Sequence, residues 1–406
     1  MKAFFTSDFT KVNKENRKNQ QKLQIIRAMA QSTGGIIVPE ICKMLQISPP
    51  TALKLVREMQ EEGFIMAVGK KETVNGRKPL IYSLRHINLY AISVEILLKR
   101  ISVAIVDMQL DVKCYRQNSD FLLENNQECL NKVEEFILNC LNESGIREDN
   151  IIGMGIGITG RVSKDMGESL TYFNFMGVPL QEYFSGKFDI PVFINNDTRC
   201  FAQAEKIVGK ARDANHAVVI NLSRGLGTGL IIDNKIMNGS NGFAGEMGHM
   251  KFGEREKLCI CGEKGCLGND VGGFALEEMF SERIAAGERT TINFPEGKMK
   301  VRYDAVLAAA LEGDDLSIRL IREIGFKLGG ALGNIINLLN PELVIIAGKF
   351  SRTKDILLKP LKEGIASTGL KNPVKTCQIE FSELGYLGGL KGAAALVFEY
   401  FELIKQ

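Results

Sequence analysis

Nowhere in the 406 residues do 18 apolar side chains run together, which excludes a helix able to cross a membrane. The first 21 residues also lack the apolar segment of a secretory leader; they are polar and basic, so a cytoplasmic protein is expected. Cysteine pairing has no obvious basis either. Nine cysteines are an odd number, and without a leader they are expected as thiols or metal ligands. Histidine is scarce, with three in the whole chain. Net charge is small at +3, but it is unevenly spread. Residues 1–86 carry 15 Lys/Arg and 7 Asp/Glu, whereas the remaining 320 carry 36 and 41. A basic front and a mildly acidic back point to a polyanion meeting the front alone. The length itself calls for two or three domains.

What the front contains is a run of short helical signals. Leu23, Ile26, Met29 and Ala30 recur at helical spacing over Gln20 to Gln31, and Gly34-Gly35 ends that helix. Pro39 opens a second helix with Ile41, Met44 and Leu45 on one face, and Gln46-Ile47 forms a turn. Ser48 is an N-cap and Pro49 a first helical residue. Leu53, Val56 and Met59 are expected as the buried stripe of a third helix. Two short helices about a brief turn are a helix-turn-helix, whose second helix enters the major groove. Phe64 to Val68 and Leu80 to Leu84 then read as a hairpin around Asn75-Gly76-Arg77-Lys78-Pro79. The DNA-contacting candidates are Ser48, Thr51, Lys54 and Arg57 on the helix and Asn75, Gly76, Arg77 and Lys78 at the wing. A winged helix used for protein contacts is the alternative.

From Tyr90 strands alternate with helices, the sign of an α/β domain. Ile101 to Val106, Ile151 to Ile158, Val192 to Ile194, Ala217 to Leu222 and Leu343 to Ile346 are the strands, with Cys129 to Leu141 a helix. Ligand loops of such sheets follow the carboxyl ends of strands, here Thr159-Gly160, Asn195-Asn196-Asp197 and Gly225 to Gly229. The sharpest local signal is Cys259-Ile-Cys261 followed by Cys266, with His249 ten residues earlier. Three thiolates and an imidazole make a closed tetrahedral Cys₃His site, the usual form of structural zinc (Zn2+). Gly262 and Gly265 let the chain wrap a small ion. Three unliganded thiols in a surface loop are the alternative. Cys42, Cys114, Cys129, Cys140, Cys200 and Cys377 lack such company and are expected as buried small hydrophobes.

Gly242-Phe-Ala-Gly-Glu246-Met-Gly-His249 with the cysteine cluster resembles the signature of the ROK family of repressors, open reading frames and kinases. The preceding winged helix and Asn75-Gly-Arg-Lys-Pro79 resemble its NagC/XylR-like transcriptional repressor branch. The resemblance implies an N-terminal winged helix-turn-helix followed by a two-lobed α/β fold of the actin-like, sugar-kinase-like ATPase type. Implied boundaries are 1–86 for the winged helix, 87–197 with a C-terminal helix 385–406 for the first lobe, and 198–384 for the second. It also implies zinc on His249, Cys259, Cys261 and Cys266. Asn196, Asp197, Glu246 and His249 are implied as sugar-binding residues.

The family's kinases cradle ATP phosphates on glycine-rich turns. The first such turn is Glu95-Ile96-Leu97-Leu98-Lys99 here, the second reads Leu222-Ser223-Arg224-Gly225, and a third glycine pair has become Gly348-Lys349. Leucine side chains and Arg224 leave no close backbone approach for phosphate, so no catalytic residues and no enzyme activity are expected. A second sugar-binding Glu implied after Cys266-Leu267 is Gly268 here. The expected partners are double-stranded operator DNA, a sugar or sugar derivative, and a second copy of the chain as a homodimer or homotetramer. Two rivals stand beside this sugar-responsive repressor: a sugar kinase with an appended regulatory head, and a repressor controlled by a protein partner.

Overall fold

A computed structural model describes residues 14–32, 34–72, 78–85, 89–293 and 301–404. Contacts group the chain into two compact units, Met1–Cys200 with Gly389–Gln406, and Phe201–Gly388. Among the described residues no helix is long and apolar enough to cross a membrane.

The first unit opens with α1 (Lys14–Gln31), β1 (Ile36–Ile37), α2 (Val38–Leu45), α3 (Pro49–Glu61), β2 (Ile65–Lys70) and β3 (Leu80–Leu84). The three strands form a small sheet in the order β1-β3-β2. Ile25, Ile26 and Met29 of α1, Ile41 of α2, and Ala52, Leu55, Val56 and Met59 of α3 are buried, as are Phe64, Ile65, Tyr82 and Leu84. Three sequence expectations need correction. Helix α2 begins at Val38, one residue before Pro39, because Glu40 reaches back to accept from the Ile37 amide at 3.0 Å. Met44 is 42% exposed and Leu53 is 50% exposed. At 100° per residue the buried arc of α3 is centred between Met59 and Ala52, and Leu53 falls outside it.

The same unit continues as β4 (Tyr90–Leu97), β5 (Arg100–Asp107), β6 (Val112–Asn118), α4 (Gln127–Ser144), β7 (Ile151–Ile158), β8 (Val162–Ser163), β9 (Glu168–Ser169), α5 (Leu180–Phe188), β10 (Val192–Asn196) and the first turn of α6 (Asp197–Val208). Its five-stranded sheet runs β10-β7-β4-β5-β6, antiparallel through β4, β5 and β6 and parallel through β4, β7 and β10. Strand β7 alternates glycine with large apolar residues. Met154, Ile156 and Ile158 join the core, while the opposite face carries Gly153, Gly155 and Gly157. A methyl at Gly155 would lie 1.8 Å from the Ala393 carbonyl oxygen, so this bare face lets the C-terminal helix lie against the strand.

The second unit holds β11 (Ala217–Leu222), β12 (Leu226–Ile232), β13 (Lys235–Ile236), α7 (Gly268–Val271), α8 (Gly273–Ala285), α9 (Tyr303–Leu311), α10 (Asp315–Leu339), β14 (Leu343–Ala347), α11 (Lys354–Thr368), α12 (Lys371–Thr376) and β15 (Gln378–Phe381). Helix α13 (Gly388–Tyr400) returns the chain to the first unit. The strand order β13-β12-β11-β14-β15 repeats the plan of the first sheet, with the same antiparallel and parallel pairs. Its core joins Val218, Ile220, Leu276, Phe280, Leu320, Ile324, Leu328, Val344 and Ile346.

Candidate functional site

The outward face of α3 is built by its own periodicity. With Ala52, Leu55, Val56 and Met59 inward, Thr51, Leu53, Lys54 and Arg57 are exposed. Ser48 precedes the helix as its N-cap residue, but its hydroxyl pairs with that of Thr51 at 2.9 Å and makes no cap bond to the backbone. The acidic residues of α3 all follow Arg57. Glu58 lies 2.7 Å from Lys18 and 3.4 Å from Lys22, and Glu62, just past the helix, lies 2.6 Å from Lys22. Partial burial would raise the Glu58 carboxyl, but the two ammonium groups outweigh it and hold the group below its usual range. Lys54 and Arg57 therefore precede the acidic end of α3, whose Glu58 is paired with Lys18 and Lys22 of α1. At the wing, Lys78 is exposed and 3.6 Å from Glu72. Asn75, Gly76 and Arg77 lie outside the described residues.

The second cluster is chemical. His249, Cys259, Cys261 and Cys266 bring four donor atoms within 4.8 Å of one another. Cys259 Sγ is 3.5 Å from His249 Nδ1, and Cys261 Sγ is 3.6 Å from Cys266 Sγ. Tetrahedral zinc with sulfur at about 2.3 Å requires donor separations of roughly 3.8 Å, so the set has the right size. Burial pushes the Cys266 thiol up to about 12, and the neighbouring Cys261 and Cys259 sulfurs add to it. A thiolate there needs a cation beside it, which the donor set fits. The loop closes through Gly253 N–H to the Gly265 carbonyl (3.0 Å) and Leu267 N–H to the Met250 carbonyl (3.0 Å). Gly262 and Gly265 adopt φ of 90° and 72°, the left-handed region the tight wrap demands.

Asp270 was not singled out in the sequence. It is buried, and its carboxylate accepts from the Glu254 and Arg255 amides at 2.9 and 3.3 Å, with Lys327 at 3.5 Å. It anchors the start of the metal loop. The signal available was an acid set among Leu267, Gly268 and Val271, at a position too apolar for an unpartnered charge. Cys114 and Cys140 also have company that sequence spacing did not reveal, with sulfurs 3.8 Å apart, and both Cys42 and Cys114 are only partly buried.

The residues expected to face a sugar fall in two groups. In the first unit β10 ends at Asn196 and α6 starts at Asp197. The Asn196 side chain donates to the Gly160 carbonyl (3.0 Å) and to Asp197 Oδ1 (2.9 Å), and accepts from the Thr198 amide (3.0 Å). It thus fixes both the carboxylate and the first turn of α6. In the second unit Glu246 and His249 lie at either end of one short turn, with His249 Nε2 3.9 Å from Glu246 Oε2. Nδ1 faces the cysteines and Nε2 faces Glu246, so one imidazole can serve both the metal and the loop. Gly268 stands where a methyl would meet the Gly248 carbonyl oxygen at 3.2 Å, and Asp270 points to backbone amides. Neither replaces the missing carboxylate.

Charged side chains line the turns that correspond to phosphate loops. Arg100 ion-pairs with buried Glu95 across the β4–β5 turn. Burial raises the Glu95 carboxyl against the opposing pull of Arg100. In the second unit Arg224 lies 3.9 Å from Glu277, and Lys349 contacts both Asp304 oxygens at 2.8 Å beneath the Tyr303 ring. The first amides of α8, Gly273 and Phe274, donate to the Ser223 and Arg224 carbonyls (2.8 and 3.0 Å). Donors of the kind a helix N-terminus offers a phosphate are already used.

A winged helix followed by two sheets of one actin-like strand plan, the second bearing a Cys₃His loop, defines a sugar-kinase-like protein with a helix-turn-helix head. The ROK family model matches residues 91–399, and the chain belongs to the ROK family. It is 27% identical over 360 residues to the xylose repressor of Caldicellulosiruptor bescii, covering 88% of this chain and 90% of that one. It is equally 27% identical over 372 residues to the DNA-binding transcriptional dual regulator NagC of Escherichia coli K12, covering 90% and 89%. Among solved structures, a ROK family transcriptional regulator described as a homologue of the E. coli Mlc protein superposes with a TM-score of 0.75 at 24% identity, over 95% of this chain and 97% of that one. A ROK glucokinase from Streptomyces griseus gives 0.65 at 24% identity, over 76% and 98%. The glucokinase thus aligns with three quarters of the chain and the regulator with nearly all of it.

Proposed function

We propose that the chain is a DNA-binding transcriptional regulator, a repressor of sugar uptake or catabolism genes whose kinase-like domain senses a sugar without phosphorylating it. The observation that carries this is the outward face of α3, where Thr51, Lys54 and Arg57 project from the N-terminal turns while Glu58 and Glu62 are held by Lys18 and Lys22. A homodimer presents two such helices to half-sites one helical turn apart, with Ser48 and the wing residues 75–78 contributing backbone contacts. Zinc held by His249, Cys259, Cys261 and Cys266 would add a cross-link to the backbone hydrogen bonds that already close the loop 250–267. Asn196, Asp197, Glu246 and His249 are its proposed hydroxyl-binding residues. The effector acts through its differential affinity for the DNA-competent and DNA-incompetent states. The ion pairs Glu95–Arg100 and Lys349–Asp304 support the absence of phosphoryl transfer.

Fluorescence anisotropy on DNA upstream of the protein's own gene tests the reading. Binding should weaken steeply with salt, because phosphate contacts release counterions. Relatives named for xylose and N-acetylglucosamine make a pentose and an N-acetylated hexosamine the first sugars to titrate. ATP turnover with hexoses and pentoses should stay at background. Measurable phosphorylation would favour the kinase with an appended head. One observation favours a second reading, control by a protein partner: Gly268 and Asp270 leave the sugar side short of a carboxylate. Operator binding untouched by every sugar is its expected signature.

A further inference from the structure

We infer that Leu53 is a specificity-determining residue of α3 that reads the 5-methyl group of a thymine in the major groove. This rests on the DNA-binding reading above and adds a residue to it. Exposed leucines scattered over a surface carry no meaning by themselves. Leu53 is distinguished by where it stands. It lies in the second turn of α3, half exposed, while beyond the exposed opening pair Pro49-Pro50 the other apolar residues, Ala52, Leu55, Val56 and Met59, are buried. At 100° per residue it stands on the flank of the buried arc, 40° from Arg57 one turn on and 60° from buried Val56.

Charge decides which part of α3 a polyanion can approach. Glu58, Glu61 and Glu62 all come after Arg57, at the far end. A phosphate-lined groove therefore meets the stretch from Pro49 to Arg57, the N-terminal part that helix-turn-helix proteins insert. Of the exposed side chains there, Lys54 and Arg57 donate hydrogen bonds to guanine edges or phosphates. Thr51 shares its hydroxyl with Ser48 at 2.9 Å. Leu53 has no hydrogen-bonding group, and the major groove offers one apolar feature, the thymine methyl. An isobutyl group against that methyl removes both from water. Against cytosine or adenine amino groups it would strip a donor of its water and return nothing.

The test uses the full-length protein and a duplex selected from a random library. Each thymine is replaced in turn by deoxyuridine, which differs only by the methyl. For the wild type, one symmetric pair of replacements should weaken binding by about fourfold per half-site, the worth of one buried methyl group. Leu53→Ala should lose a similar factor on the thymine duplex and show no further loss on the deoxyuridine duplex. Leu53→Met, which keeps an apolar side chain, should retain the methyl dependence. Circular dichroism melting of both variants checks that α3 remains folded, as expected for a half-exposed position. Equal methyl penalties in wild type and Leu53→Ala would overturn the inference. So would a Leu53→Ala variant that binds every duplex as the wild type does, or one whose affinity falls only because the oligomer dissociates on sizing. A wild type that selects no duplex at all would remove the DNA-binding reading itself, and this inference with it.

Discussion

Asp314 shows how much one buried carboxylate can do. It caps α10 and accepts from the Ser317 amide and hydroxyl at 2.9 and 2.7 Å, from the Thr291 amide and hydroxyl at 2.7 and 3.2 Å, and from the Thr290 hydroxyl at 2.9 Å. Burial would raise its carboxyl, but these donors outweigh it and bring it down to about 2 from an ordinary 3.8. A depressed folded value means its stabilisation is complete above about pH 4 and is lost as pH falls toward 2. The linkage is worth about 2 kcal/mol. Asp314→Ala should cost about 2 kcal/mol at pH 7 by urea unfolding, and should flatten the loss of stability between pH 4 and 2. The bonds of Asp314 to residues 290 and 291 were not legible, because those residues lie far off in sequence in an irregular segment, while its cap on Ser317 is a local pattern that was not read. His249 and the three cysteines were legible, because all four donors fall within 18 consecutive positions. For that cluster, the wild type should retain zinc through dialysis and Cys259→Ser should lose it, read by a colorimetric zinc assay after unfolding.

Helices α10 and α11 approach each other through glycine. A methyl on Gly329 would lie 2.2 Å from the Leu361 carbonyl oxygen, and one on Gly364 would lie 2.1 Å from that of Phe326. These are backbone contacts that cannot swing aside. Gly329→Ala should therefore destabilise the second unit by about 1–3 kcal/mol, the cost of overpacking. Gly186, at an exposed position of α5, has nothing within 4 Å of its missing methyl. There the same substitution should stabilise by about 0.5–1 kcal/mol, and the pair of thermal melts separates close packing from helix propensity. The three front helices, the hairpin, five sheet strands and α4 could be read from periodicity, and so could the start of α3 from Ser48-Pro49, whereas the helices of the second unit were not read. The buried side of α3 could not be fully assigned. Positions 52, 53, 55, 56 and 59 all carry apolar residues, and a 3.6-residue period alone does not say whether 52 or 53 turns inward.

Across the first unit, α13 links the loop that holds Asp197 to the helix-turn-helix. Near its start a methyl on Gly389 would lie 2.0 Å from Glu95 Oε1, and one on Gly392 would lie 1.6 Å from the Cys200 carbonyl oxygen, one turn along α6 from Asp197. Just past its end, the Phe401 carbonyl accepts from Arg27 Nε of α1 at 3.0 Å, and Glu402 lies 3.4 Å from Arg27 Nη1. Helix α1 in turn holds Glu58 and Glu62 through Lys18 and Lys22. Arg27→Ala should leave operator affinity within a few-fold of wild type and shrink the factor by which an effector changes it, measured as the ratio of operator Kd with and without sugar. An unchanged ratio would sink this route. None of it was legible in the sequence, since the contact joins residues 374 positions apart. The strand order of the two sheets was hidden for the same reason, because pairing β4 with β7 and β11 with β14 depends on what lies between them.

The clasp between Arg27 and the Phe401 carbonyl also bears on how the protein should be handled at the bench. Purification handles are commonly appended after the last residue, on the assumption that a tail tolerates cargo. Here Phe401 and Leu403 are buried and Arg27 of α1 binds the Phe401 carbonyl, so a fusion appended after Gln406 begins five residues from a contact with the helix-turn-helix. A cleavable N-terminal handle, removed before any binding curve is taken, is the safer design.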